Sequence, residues 1–232
     1  MTYEIKLDEV DVDGAVREAA DEVSGDTRLG FLKKAGIGAG AAMGGGAVLS
    51  ALAPSAFAAK QVGRPPAKFG KGDIGVLNYA LTLEYLEAAF YNGATAAKLA
   101  LSPQAAAFLK VVTEDENAHV KFLKKALGSK AAKEPTFNFA GANTSVETFM
   151  KTAQVLENTG VHAYLGQVLN IKNPAYVGAA GSILTIEARH ASLIGLLNDP
   201  SGAMIAPDGP FDKPWTAAKV LKEVEATKFI VA

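Results

Sequence analysis

The chain has 232 residues, no cysteine, three histidines and a formal net charge of -1, with 49% hydrophobic and 20% charged residues. That composition supports a sizeable core and argues against wholesale disorder. The missing cysteines exclude disulfides, thiolate metal sites, iron–sulfur clusters and thiol nucleophiles, and the near-neutral charge gives no electrostatic case for nucleic acid.

Residues 1–26 carry nine Asp/Glu against Lys6 and Arg17 and show little apolar periodicity. Thr27 to Gly36 (TRLGFLKKAG) leads into an uncharged, Ala/Gly-rich run from Ala35 to Ala59 that contains Ala56-Phe57-Ala58. A charged region, a weakly apolar stretch and an A-x-A site in this order read as an export signal with an acidic extension, residues 1–58, cleaved after Ala58. The stretch resembles a twin-arginine signal: Thr27, Arg28, Phe31, Leu32 and Lys33 match, while Leu29 stands where the second arginine belongs. The expected destination is the periplasm, cell envelope or extracellular space, by the twin-arginine route. The alternative is a membrane anchor, since the 25 uncharged residues are long enough to span a bilayer. The many glycines and Pro54 favour cleavage. Residues 59–71 mix Pro, Gly and Lys and read as a linker.

From Gly72 the apolar pattern turns helical. The first helix has an inward line of Ile74, Leu77, Leu81, Glu84, Ala88 and Tyr91. Ser102-Pro103 opens a second helix as N-cap and first-turn proline, with Ala105, Leu109, Val112, Glu116, His119, Leu123 and Ala126 inward and Gly128 at its end. A turn-rich segment from Ser129 to Asn143 follows, containing Pro135, Phe137 and Phe139. The third helix starts near Ser145 with Val146, Met150, Ala153, Glu157, Gly160 and Tyr164 inward. Asn173-Pro174 starts the fourth, with Tyr176, Ala180, Ile183, Glu187, His190, Ile194 and Leu197 inward. Residues 199–232 form a Pro/Gly-rich tail and a short last helix, about Thr216 to Lys228.

Steps of three and four place each line on a narrow seam facing a bundle interior. Short connections make the first and second helices, and the third and fourth, antiparallel hairpins. The connection between hairpins can extend about 50 Å, enough to cross along the bundle. The expected class is all-α, a four-helix bundle with one long crossover over residues 72–198.

Six seam positions are polar: Glu84, Glu116, His119, Glu157, Glu187 and His190. Two Glu-x-x-His pairs, 116–119 and 187–190, place a Glu and a His one turn apart on one face. The hairpins repeat the pattern, matching Glu84 with Glu157, Tyr91 with Tyr164, Glu116 with Glu187 and His119 with His190. A lone Glu-x-x-His is usually a solvated helix face. Two matching sets are harder to dismiss, because each buried carboxylate left without a cation costs several kcal/mol. The alternative is a metal-free bundle with protonated or hydrated carboxylates.

These residues resemble the ferritin-like superfamily over roughly Gly72 to Asn198, most closely the exported, desiccation-related type. The resemblance implies two metal ions, with Glu84 and His119 as ligands on one half, Glu157 and His190 on the other, and Glu116 and Glu187 bridging. Iron or manganese suits the donor set, and zinc also fits it. The implied chemistry is redox: Fe(II) oxidation with dioxygen, or peroxide removal, in stress protection. Storage in a closed homo-oligomeric cage and a structural metal staple are the competing readings.

Neighbours of the six complete the expectations. Glu87, one turn beyond Glu84, is a candidate seventh or supporting carboxylate. Tyr91 and Tyr164 read as core residues with satisfied hydroxyls, with hydrogen bonding to a ligand or a transient radical as alternatives. Glu114 and Asp115 read as solvated, His162 as a surface residue, and Trp215 has no evident partner.

Overall fold

The structure, a computed structural model, describes residues 63–231; the predicted export signal and the anchor alternative lie outside them. Helix α1 (Gly72–Ala97) ends on Lys98 in the left-handed conformation. The other helices start on side chains that satisfy an otherwise orphaned N–H of the first turn. Ser102 Oγ accepts from Ala105 N–H ahead of α2 (Pro103–Leu127), and Ser145 Oγ accepts from Thr148 N–H ahead of α3 (Val146–Val168). Asn173 Oδ1 accepts from Ala175 N–H ahead of α4 (Pro174–Asn198), and Thr216 Oγ1 accepts from Lys219 N–H ahead of α5 (Ala217–Thr227). Gly128, at φ +56°, ends α2 as the sequence predicts.

Helix α1 packs chiefly on α2 and α3 on α4, so the two predicted hairpins form. Asp73 accepts from the N–H groups of Lys172 and Asn173, 2.9 Å each, tying the start of α1 to the α3–α4 turn. The long connection runs along α1. Asn78 holds its beginning, donating to Lys130 O and accepting from Ala132 N–H. Asn143 holds its end, donating to Phe90 O at 3.2 Å. In between, β1 (Thr136–Phe137) pairs antiparallel with β2 (Ile230–Val231). The sequence does not predict this ladder, because two residues are too few to show a strand's alternation. Among the described residues no helix is long and apolar enough to cross a membrane.

Most of the inward lines are buried, with one departure: Val146, expected inward, is exposed in the first turn of α3. The core is two apolar clusters. One gathers Phe90, Tyr91, Leu109, Val112, Phe149, Ala153 and Ile194 with the inner face of α5. The other gathers Leu77, Leu81, Leu123, Tyr164, Ala180 and Ile183. Along every one of the four helices, the polar seam residues fall between the two.

The tail after α4 packs back onto the bundle, correcting two sequence expectations. His162 is buried, not on the surface: Trp215 stacks on its ring at 4.2 Å and 15°. Its Nδ1–H donates to Lys213 O at 2.8 Å, and Trp215 N–H donates to His162 O at 3.1 Å. Trp215 therefore has a partner, and Lys219 Nζ lies 3.5 Å over the indole. Gly166 lets the tail approach, since a Cβ there would overlap the Trp215 carbonyl oxygen. Gly166→Ala is expected to lose about 1–3 kcal/mol of stability by overpacking. Gly178→Ala, exposed in α4 with nothing near its Cβ, should gain about 0.5–1 kcal/mol. Urea midpoints check both, and a Gly166→Ala midpoint at or above wild type would contradict this seating of the tail.

Candidate metal centre

All six predicted seam residues meet in the layer between the apolar clusters. Glu84, Glu116, Glu157 and Glu187 have no exposed surface, and His119 and His190 are buried. Their atoms form two sets, each within 4.8 Å: Glu84, Glu116, His119 and Glu187, and Glu116, Glu157 and His190. His119 turns Nδ1 to Glu84 Oε2 and Glu116 Oε2 at 3.2 Å and to Glu187 Oε1 at 3.3 Å. His190 turns Nδ1 to Glu116 Oε1 and Glu157 Oε2 at 3.2 Å. Glu116 thus presents one oxygen to each imidazole and belongs to both sets, whereas Glu187 joins the first alone.

The remaining oxygens of the two terminal glutamates are fixed across the pseudo-twofold axis. Tyr91, on α1, donates to Glu157 Oε1 on α3. Tyr164, on α3, donates to Glu84 Oε1 on α1. The tyrosines are buried with satisfied hydroxyls, as the sequence indicates, and the satisfying groups are site carboxylates of the opposite half.

Two features break the symmetry. Glu87 is buried beside the sets though in neither, and its counterpart by spacing, three residues after Glu157, is Gly160. A Cβ at Gly160 would lie 2.6 Å from Glu187 Oε2 and 3.3 Å from Glu87 Oε1, so the glycine makes room for both carboxylates. The second feature is Asp115, whose Oδ2 lies 3.0 Å from His190 Nε2. Asp115 is therefore not simply solvated, as its position in the sequence suggests. It fixes the outer edge of the imidazole, leaving Nδ1 for the centre. Its counterpart is Ile186, so His119 has no matching carboxylate from that position.

Several of these atoms lack hydrogen-bond partners: Glu116 Oε1, Glu157 Oε2, both oxygens of Glu187, and His190 Nδ1. Around His190, nitrogen and oxygen approach without the alignment of a hydrogen bond, as donor atoms do around a common cation. Five buried carboxylates, counting Glu87, face two imidazoles, and among the described residues no Lys or Arg forms an ion pair with them. Oxygen-rich donors with two imidazoles suit a hard or borderline divalent ion. The residues fit metal.

Without metal, protons do the compensating. Burial opposes charge on both histidines, but the surrounding carboxylates outweigh it, raising His190 to about 11 and His119 further. Burial and then the charge of Glu84 raise Glu116 to about 8, against the opposing pull of both histidines. Burial and the neighbouring carboxylates hold Glu187 and Glu87 well above the ordinary range. Burial also pushes Glu84 upward, yet His119, Glu116 and Tyr164 together bring it below its ordinary value.

An all-α four-helix bundle with such a carboxylate–imidazole layer is the architecture of the metal-carboxylate bundle proteins. The sequence profile of the ferritin-like domain matches residues 72–199, and the chain belongs to that family. No curated protein sequence matches it.

The pKa shifts fix a sign. Between about pH 4.5 and 8 the metal-free fold retains the Glu116 proton that the unfolded chain releases, and from 6.5 to about 11 it does the same at His190. Stability of the metal-free protein should therefore fall as pH rises through both windows. Below pH 4.5 the depressed Glu84 reverses the slope. Urea titrations of chelator-treated protein across this range check it; a midpoint rising from pH 5 to 8 would contradict it.

Proposed function

We propose that the bundle holds two metal ions, iron or manganese, and uses them for redox chemistry with dioxygen or peroxide outside the cytoplasm, oxidising Fe(II) or removing peroxide. One observation carries the reading: Glu116 turns its two oxygens to His119 and His190, so two donor sets share one carboxylate. When bound, the metal pair supplies the change of oxidation state that no side chain here provides.

The protein's part is positioning and charge. Glu84 and His119 would hold one ion and Glu157 and His190 the other, with Glu116 between them and Glu187 completing the first set. Tyr91 and Tyr164 occupy one oxygen each of Glu157 and Glu84, leaving the other turned inward. Asp115 orients His190 and strengthens its Nδ1 as a donor. Glu87, which burial and the neighbouring carboxylates bias towards the protonated form, places a carboxyl group beside the centre without belonging to either set. The apolar clusters above and below exclude bulk water.

Anaerobic loading with Fe(II) or Mn(II), followed by metal analysis and turnover with dioxygen and with peroxide, tests this reading. Wild type should take up about two ions per chain and turn over repeatedly. Glu87→Gln, Tyr91→Phe or Tyr164→Phe should change the rate at unchanged metal content. Asp115→Ala should weaken one of the two ions by roughly 10–100-fold. Absence of stoichiometric metal would end the metal reading. A single turnover matched by every variant would replace the enzyme with a storage protein or a structural staple.

We further propose that the mature protein begins at Ala59, after export by the twin-arginine route, as the A-x-A site following an uncharged run supports. N-terminal sequencing of native protein checks this, and an intact 1–58 segment in the membrane fraction would favour the anchor instead.

A further inference from the structure

Beside the metal layer, in the apolar cluster where the starts of α1 and α4 meet the ends of α2 and α3, the helices leave a cavity of about 20 Å³. Its walls are almost wholly apolar and include Leu77, Ala80, Leu123, Ala180 and Ile183. Tyr164 also lines it, and that side chain donates to Glu84. One wall of the cavity is therefore in direct contact with the Glu84–His119 set. Phe122, 44% exposed, also lines the cavity and marks its approach to solvent between α2 and α4.

The volume exceeds the 10–15 Å³ or so that a single water-sized occupant requires. Polarity decides which occupant is suited. Tyr79 lines the cavity and is 1% exposed, and its hydroxyl has no hydrogen-bond partner. Burial holds that phenol well above its ordinary range, so it stays a donor. Of the other liners that carry polar atoms, Tyr164 donates to Glu84 Oε1, Gln167 donates to Gly63 O and accepts from Asn170 Nδ2, and Tyr176 is half-buried at the wall. A buried water is ordinarily held by two to four polar partners, and peroxide carries two O–H donors of its own. Either would enter with hydrogen bonds unmade, at a cost of about 1–3 kcal/mol for each buried polar group left unsatisfied. A small apolar molecule meets no such penalty.

We propose that this cavity is a holding site for dioxygen, delivering it to the Glu84–His119 side of the centre, so that dioxygen rather than peroxide is the oxidant that the fold admits by this path. The inference rests on the redox reading above.

Xenon is an apolar probe of similar use, and it separates the cavity from the chemistry. Titrating the purified full chain with xenon should give saturable shifts of the Leu77, Leu123 and Ile183 methyl resonances. Ala180→Leu, which fills the cavity away from every proposed ligand, should abolish them. In Fe(II)-loaded protein the same substitution should slow the reaction with dioxygen severalfold, at unchanged metal content and unchanged rate with peroxide. Ala179→Leu, at a half-buried position of the wall, should give the same pattern if Ala180→Leu does not fold. Absence of a xenon shift in wild type would overturn the site. An unchanged dioxygen rate in the filled variant would overturn its role, as would an equal fall in both rates. If loaded wild type ignores dioxygen altogether, the redox reading fails and the delivery role falls with it, while a xenon shift would still mark an apolar guest site.

Discussion

The structure depends on one electrostatic constraint: five carboxylates lie buried in a layer between two apolar clusters, with two imidazoles among them. Among the described residues no Lys or Arg pairs with that layer, and dispersing it would break all four helix seams at once. The layer therefore fixes the rotation of each helix about its own axis, because turning any one would drive a glutamate into Leu or Ile. Apolar packing alone is more forgiving, since hydrophobic cores tolerate repacking. Here the polar layer specifies the register and the apolar clusters contribute the cohesion.

That layer is organised by contacts that cross between the hairpins. Each tyrosine reaches from one hairpin to a glutamate of the other, and Glu116 of α2 addresses an imidazole on α4. Neither hairpin completes a donor set alone. The hydrogen bonds also leave the inward oxygens of Glu84 and Glu157 without alternative orientations, which is the kind of preorganisation a metal site requires of its outer partners. The centre and the docking of the two halves are thus one event.

Much of this was legible in the sequence. Alternating steps of three and four marked the seams, and Glu84, Glu116, His119, Glu157, Glu187 and His190 stood on them where leucine belongs. Helix starts at Ser102 and Asn173 followed from a capping residue before proline, and those near Ser145 and Thr216 from the apolar pattern. Other features were hidden for a common reason: they join residues whose proximity is set by helix rotation or by a returning tail. Asp115 sits a quarter turn off its seam, and only the placement of α4 brings His190 to it. His162 looked superficial because its cover, Trp215, arrives from 53 residues further along the chain. The partners of Tyr91 and Tyr164 were obscure in the same way, since periodicity identifies a buried face without saying which helix it meets.

The crossover that joins the hairpins has a consequence for symmetry. A homodimer of a single hairpin could build the same frame, but it would have to duplicate every side chain. Two copies of α1–α2 would set Glu87 against Glu87 where the fold makes room with Gly160, and two copies of α3–α4 would have glycine in both places and no counterpart of Glu87. Asp115 and Ile186 could not differ either. Covalent linkage through Ser129 to Asn143 lifts that restriction, allowing the halves to share one backbone plan while presenting unequal environments. The connecting segment contributes no ligand, yet it is what permits the two imidazoles to be chemically distinct.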